Sequence, residues 1–588
     1  MADSWSPPGG PPAADPETLG QQIARLANAL FQAPPGAPAQ LSGPSGLPGQ
    51  LPAPPNAAMP GVPGLPQPPP SVAPLPKDTD FRSAPVTAAG GGLPVVPWDG
   101  MSGNNFGLPL TLHDGAPSPS DTPYFLQLAG PPASVPAPAA PAVPDSNATV
   151  LGVGSDLSRP EQSRPELPRP DSSRQFETRL FDPHAIRRDF PILRERIHGK
   201  PLIWFDNAAT TQKPQAVIDR LSYFYEHENS NIHRAAHTLA ARATDAYEGA
   251  RDTVRRFLNA PSPKNIVFAR GTTEAINLVA QSWGRRHVGA GDEIVISWLE
   301  HHANIVPWQM LAAEKGARLR VAPVGNDGQV LLDEYEQLLG PRTRLVSLSQ
   351  VSNALGTITP VREMIASARR VGARVLIDGA QAVSHMPVDV QALDCDFYCF
   401  SGHKIFGPTG IGALYGKTEA LDEMPPWQGG GNMIADVTFE RTQYQPPPGR
   451  FEAGTGNIAD AVGLAAALDY VTGIGLHNIS RYEHELLEYA TGCLTAIPGL
   501  KLLPGPPDKA GVLSFVLGDL PPTEVGAALD QEGIAVRAGH HCAQPILRRF
   551  GYETTVRASL APYNTREDVD ALAAALRRLQ VGRAPTHG

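Results

Sequence analysis

The chain has 588 residues, 64 of them proline and 57 glycine, and its formal net charge of −10 without a long Lys/Arg run argues against nucleic acid as the main partner. No apolar stretch reaches the roughly 18 residues of a membrane helix, and the start MADSWSPPGG lacks the basic and apolar regions of a signal peptide. Four cysteines in so long a chain make no disulfide framework, so the protein reads as cytoplasmic.

Residues 1–175 are dominated by Pro, Ala, Gly and Ser, a composition that cannot bury enough apolar surface to offset the entropy of ordering its backbone. They are expected to form a disordered tail carrying short docking motifs. Asp15-Pro16-Glu17 starts a helix with a cap residue, a proline at the first helical position and an acid behind it. Leu19, Ile23, Leu26 and Leu30 follow at helical spacing, and Pro34-Pro35 ends the run. Further on lie three apolar islands, Leu93 to Trp98, Phe106 to Leu112 and Tyr124 to Leu128. Isolated motifs of this kind act as linear docking peptides. Arg-Pro steps at Arg159, Arg164 and Arg169 lead out of the tail.

Asp182-Pro183 is a second helix start, and from there the composition is that of a globular protein. Ile266–Arg270, Glu293–Ser297, Arg318–Pro323, Arg344–Gln350, Arg374–Asp378, Asp396–Ser401 and Gly412–Tyr415 read as short buried strands. Helical stretches such as Glu274–Trp283 and Val361–Val371 separate most of them. That alternation predicts an α/β fold with a mainly parallel sheet covered on both faces. The large domain is expected over 194–470, with 176–193 and 471–588 forming a smaller α+β domain. Cys395 and Cys399 fall in or beside a buried strand, where a cysteine behaves as a small apolar residue.

Three strand ends carry groups with chemistry. Gly271-Thr272-Thr273 opens a helix and offers N–H groups and hydroxyls to a phosphate, though Thr is also an ordinary cap. Asp378 ends an apolar strand, where a carboxylate must find a cation or several donors. Lys404 closes DFYCFSGHK, where desolvation lowers an amine's pKa as Schiff-base chemistry needs, although a strand-end lysine often only snorkels. Together, a phosphate cradle, a carboxylate for a pyridinium nitrogen and a lysine for an aldehyde are the parts of a pyridoxal-phosphate site. Their order along the chain is that of fold type I.

The motifs DNAATTQKP, RGTTEAINLVAQSWG, EHHANIVPWQML, VSNALGT, DGAQAV, FEAGTGN and AVRAGHHCAQP resemble the SUF-type (group II) cysteine desulfurases. The resemblance implies a seven-stranded large domain of fold type I, pyridoxal phosphate as coenzyme, L-cysteine as substrate, a homodimer and no resident metal. By matching motif it implies that Lys404 holds the coenzyme covalently, Asp378 pairs with its ring nitrogen, His301 stacks on the ring, and Gln381 bonds its phenolic oxygen. Thr272, Thr273, Ser401 and His403 would hold the phosphate, with Thr455 reaching in from the other subunit. Asn353 and Arg557 would bind the substrate carboxylate, Arg537 would sit near the nucleophile, and His233 at the pocket edge. Cys542 would carry the persulfide and pass it to an acceptor protein. Selenocysteine lyase and a class V aminotransferase share the scaffold, but the aminotransferase has no need of Cys542. The long extension resembles cargo desulfurases of family 2 encapsulins, which implies that residues 1–175 dock on a protein shell and place the enzyme inside it.

Overall fold

The computed structural model describes residues 181–233 and 237–581. The expected helix after Asp15, the apolar islands and the Arg-Pro linker lie outside the described residues. The second helix start is realised: Asp182 Oδ1 accepts from His184 N at 2.9 Å, and α1 runs Pro183–Arg188. Helices α2 (Gln215–His227) and α3 (Thr238–Phe257) follow before the main sheet begins.

Seven strands form that sheet: β1 Ile266–Ala269, β2 Glu293–Ser297, β3 Arg318–Ala322, β4 Thr343–Ser349, β5 Arg374–Asp378, β6 Phe397–Ser401 and β7 Gly412–Gly416. Their order across the sheet is β1-β7-β6-β5-β4-β2-β3. Neighbours pair in parallel except around β7, which runs against both β6 and β1. Successive side chains of a strand face opposite sides, and here both sides are buried. Val295, Val346, Ile377 and Phe400 join one apolar cluster, while Ile294, Leu345, Leu376 and Cys399 join another. Crossover helices α4 (Thr272–Val279), α5 (Val306–Lys315) and α6 (Val361–Arg370) cover the faces. Cys395 and Cys399 are fully buried, and burial pushes the Cys395 thiol up to about 12, so both act as packing residues.

The apolar helix α7 (Ile458–Ile474) packs against α2 and α3 and is followed by α8 (Leu476–Thr495). Among the described residues no single helix is long and apolar enough to cross a membrane. A second sheet then forms from β8 Leu500–Leu502, β9 Val512–Leu517, β10 Arg537–Gly539 and β11 Thr555–Ser559, in the order β8-β9-β11-β10. Its core joins Phe515, Leu517 and Val556 to α8, α9 (Pro522–Gln531) and α10 (Arg566–Val581). The segment before residue 194 meets both parts: Ile186, Phe190 and Leu193 belong to the large apolar cluster, while Arg187 pairs with Asp568 of α10 at 2.8 Å and Phe181 stacks on Tyr482 of α8 at 4.5 Å. A parallel pairing of Ile203–Trp204 with Ile534–Ala535 also ties the chain's early part to the second sheet.

Candidate active site

In a parallel sheet the crossovers leave a crevice beyond the carboxyl ends of the strands, and the ends of β1, β2, β4, β5 and β6 all deliver polar side chains there. At the end of β1, Gly271 takes a φ of +153°, and a Cβ on it would sit 3.0 Å from Ser401 Oγ. That close approach lets Ser401 Oγ accept from Thr272 N at 2.9 Å and share a hydrogen bond with Thr272 Oγ1 at 2.9 Å. Thr272, Thr273, Ser401 and His403 all line one cavity of about 190 Å3. Burial, with Lys404 nearby, lowers His403 to about 4, so its ring is neutral.

Asp378 is the last residue of β5 and is 4 % exposed. Its one side-chain hydrogen bond is from Ala380 N to Oδ1 at 2.9 Å, and no cation among the described residues forms an ion pair with it. Burial pushes its carboxyl up, and the Ala380 N–H and the Lys404 charge pull it down. Gly379 follows because nothing larger fits: a Cβ there would lie 2.1 Å from the Tyr398 hydroxyl. Gln381 Nε2 donates to Ala208 O at 2.7 Å.

Lys404 ends the 3₁₀ turn Gly402–Lys404 just past β6. The preceding carbonyl, His403 O, accepts from Thr211 N at 2.9 Å and Thr210 Oγ1 at 3.0 Å, which fixes the turn. Burial lowers the Lys404 amine to about 8; the Asp378 carboxylate opposes this, while Arg557 and Arg537 add to it. His301 caps the 3₁₀ turn His302–Asn304 beyond β2, its Nδ1 accepting from Ala303 N at 3.0 Å. Burial and the nearby Lys404 pull it down to about 3, so the ring is neutral and the Ala303 bond leaves its proton on Nε2.

Cys542 follows β10 in a turn whose backbone is held from several sides. His541 (φ +53°) and Cys542 (φ +55°) are both left-handed, a conformation that costs a non-glycine residue roughly 1–2 kcal/mol. Asn353 Nδ2 donates to His541 O at 2.7 Å, His302 N to Cys542 O at 2.8 Å, and Cys542 N to His540 Nδ1 at 3.0 Å. Arg557, 1 % exposed on β11, donates from Nη1 to Asn353 O at 3.0 Å and from Nη2 to Asp206 Oδ1 at 3.2 Å. Burial pulls its guanidinium down to about 10, with Asp206 opposing.

The cavity therefore brings together every expected site residue except two. His233 instead bonds Glu248 Oε1 at 2.8 Å beside Arg251 and Asn432, and Thr455 lines a separate cavity with Phe268, Trp427 and Phe451. Three further groups have no counterpart in the sequence reading. Asp206 pairs with Arg557, Glu300 accepts from Asn304 Nδ2 in the turn that follows His301, and His541 lines the cavity with Nε2 on Thr555 Oγ1 at 2.8 Å. Asp206 stood in the motif DNAATTQKP and His541 beside Cys542, but only tertiary pairing reveals what they touch. Buried polar atoms normally find partners, yet Asn353 Oδ1, Arg557 Nε and His541 Nδ1 have none. Their clustering here fits a polar ligand. The hydroxyl-lined helix start, the unpaired carboxylate and the weakly basic amine match, respectively, the phosphate, ring nitrogen and aldehyde of pyridoxal phosphate.

Residues 203–572 match the family model described as aminotransferase class-V. A protein named cysteine desulfurase in Synechococcus elongatus is 71 % identical over 402 residues, which make up 68 % of this chain and 64 % of that relative. The chain thus spans less than two thirds of that relative's length. Another protein named cysteine desulfurase, from Escherichia coli O127:H6, is 53 % identical over 400 residues, covering 68 % of this chain and 98 % of its own. The crystal structure of an Escherichia coli cysteine desulfurase in its S-sulfonic acid form is similar with a TM-score of 0.64 at 41 % identity, over 68 % of this chain and 99 % of that one.

Proposed function

The chain belongs to the class-V aminotransferase family, whose coenzyme is pyridoxal phosphate, and from that premise we propose that it is a SUF-type cysteine desulfurase that takes sulfur from free L-cysteine and holds it as a persulfide on Cys542. The observation that carries this reading is that Cys542 and Lys404, far apart in sequence, line one cavity with Asp378 and Arg557.

When bound, the coenzyme supplies an electron sink for the bond broken at the substrate's α-carbon. Lys404 would hold the coenzyme and, once the substrate has displaced its amine, would move a proton to and from that carbon, burial easing the amine's loss of its own proton. Asp378 would pair with the ring nitrogen, Gln381 would bond the phenolic oxygen, and the Thr272–Ser401 cradle would hold the phosphate. His301 would stack on the ring and, with its neutral imidazole, assist proton transfer. Arg557 Nε donates to the substrate carboxylate, and Asn353 links that subsite to the turn of Cys542. Arg537 offers its charge near the thiolate, the form that acts as nucleophile. The Cys542 thiolate attacks the substrate sulfur, so an S–S bond forms as the S–Cβ bond breaks. The electron pair of the broken bond returns to the carbon skeleton, which takes up protons and leaves as alanine.

The reading extends to a homodimer, in which Thr455 would reach each site from the other subunit and His233 would lie at the pocket edge. A separate acceptor protein collects the sulfur, and residues 1–175 dock the enzyme inside an encapsulin shell in the cytoplasm. Several short apolar anchors on one chain gain avidity from multiple contacts. The test is incubation with cysteine and a reductant, which should give alanine and sulfide. Cys542→Ala should keep the visible absorbance of bound coenzyme and lose turnover, whereas Lys404→Ala should lose that absorbance. Full desulfuration by Cys542→Ala would overturn the assignment.

A further inference from the structure

Glu300 is a fully buried carboxylate, and no cation among the described residues pairs with it. Four donors meet it instead. Ser297 Oγ reaches Oε1 at 2.6 Å, while Asn304 Nδ2 (2.6 Å), Ser349 N (2.8 Å) and Ser349 Oγ (2.7 Å) converge on Oε2. They come from three places: Ser297 closes β2, Ser349 closes β4, and Asn304 ends the turn that begins after His301. Asn304 Oδ1 in turn accepts from Trp308 Nε1 of α5 at 2.9 Å and Ser347 Oγ of β4 at 2.5 Å.

A wholly buried carboxylate is a poor choice for stability. Its desolvation is costly, and replacing buried ionic groups with apolar residues of similar volume is often neutral or stabilising. What four converging hydrogen bonds supply is geometry, because charge-assisted bonds are short and directional. Glu300 immediately precedes His301, whose ring is set in the next step by the Ala303 N bond. Burial pushes the Glu300 carboxyl up to about 7 and its donors pull it down.

We propose that Glu300 is a positioning residue: by tying the ends of β2 and β4 to the turn that carries His301, it holds the His301 ring against the coenzyme. This rests on the desulfurase reading, and it gives that reaction a fixed proton carrier where a loop side chain would wander. Glu300→Gln keeps the shape but removes the charge, so the three bonds on Oε2 lose their charge assistance and Ser297 Oγ must turn from donor to acceptor.

The test is made on the coenzyme-loaded enzyme. Glu300→Gln should lower kcat by about tenfold or more with KM within about threefold, as expected when geometry used in the transition state is lost. The visible circular dichroism of the bound coenzyme, which reports the ring stacked on it, should change in the resting enzyme without any turnover. In a His301→Ala background, adding Glu300→Gln should cost less than about twofold more and leave the dichroism as it is, the signature of two residues acting as one unit. Unaltered kcat and dichroism in Glu300→Gln, or an equal loss in both backgrounds, would overturn the proposal. Should Glu300→Gln fold poorly, Ser349→Ala removes one side-chain donor and should reproduce the change in weaker form; wild-type behaviour there also overturns it. A wild-type enzyme that releases no sulfide from cysteine would sink the desulfurase reading, while the dichroism would still decide the role of Glu300.

Discussion

Lys404 holds its amine in a place that favours reactivity over stability. In the coenzyme-free protein burial lowers it to about 8 from an ordinary 10.5. Between those two values the unfolded chain keeps a proton that the folded one has released, so stability rises with pH through that window and the full penalty applies below it. Lys404→Met should therefore stabilise the coenzyme-free protein at pH 7 by on the order of 2–3 kcal/mol, measured by urea denaturation, and should flatten the rise between pH 8 and 10.5. His301, pulled down to about 3, should stay neutral from pH 5 to 9, and its ring proton resonances should not move over that range. A shift with a midpoint near 6.5 would contradict its burial. At this scale the sequence made visible the residues whose type is chemically telling, a lysine or an aspartate at the end of an apolar run. It concealed Glu300 and Asp206, because a carboxylate's partners are fixed only when strands far apart come side by side.

Between residue and molecule stand the strands, and the sequence showed these well. Runs such as IVFA, EIVIS, RVLID and FYCFS are apolar through their middles because both faces are covered, and their ends fall within a residue or two of expectation. The reversal of β7 was not legible, since a buried strand reads the same in either direction. Nor was the pairing of Ile203–Trp204 with Ile534–Ala535, too short to carry a period. One ion pair binds the helical layer to the sheet. Arg251 of α3, its side chain 3 % exposed, grips Glu452 at 2.6 and 2.9 Å, and Glu452 Oε1 also accepts from Phe268 N of β1 at 2.8 Å. Glu452→Ala would leave the buried guanidinium with Glu248 and the Ile266 carbonyl and would strip Phe268 N of its acceptor, which should cost about 1–3 kcal/mol, read as a lowered denaturant midpoint with an unchanged slope.

For the whole molecule, the division between tail and enzyme makes a clear expectation. Deleting residues 1–175 should leave sulfide release within about twofold, since every residue lining the cavity lies beyond them in the chain, and should abolish co-purification with a shell. A truncated enzyme that enters the shell as well as the full chain would refute the docking role. Sedimentation should show a dimer, because this chain by itself leaves His233 and Thr455 outside the cavity. The twisted backbone at His541 and Cys542 has a consequence for traffic out of the site. It is clamped at both carbonyls and at the Cys542 amide by Asn353, His302 and His540, so the cargo atom cannot be carried outward on a swinging arm. On the desulfurase reading, whatever collects it must bring its own probe inward.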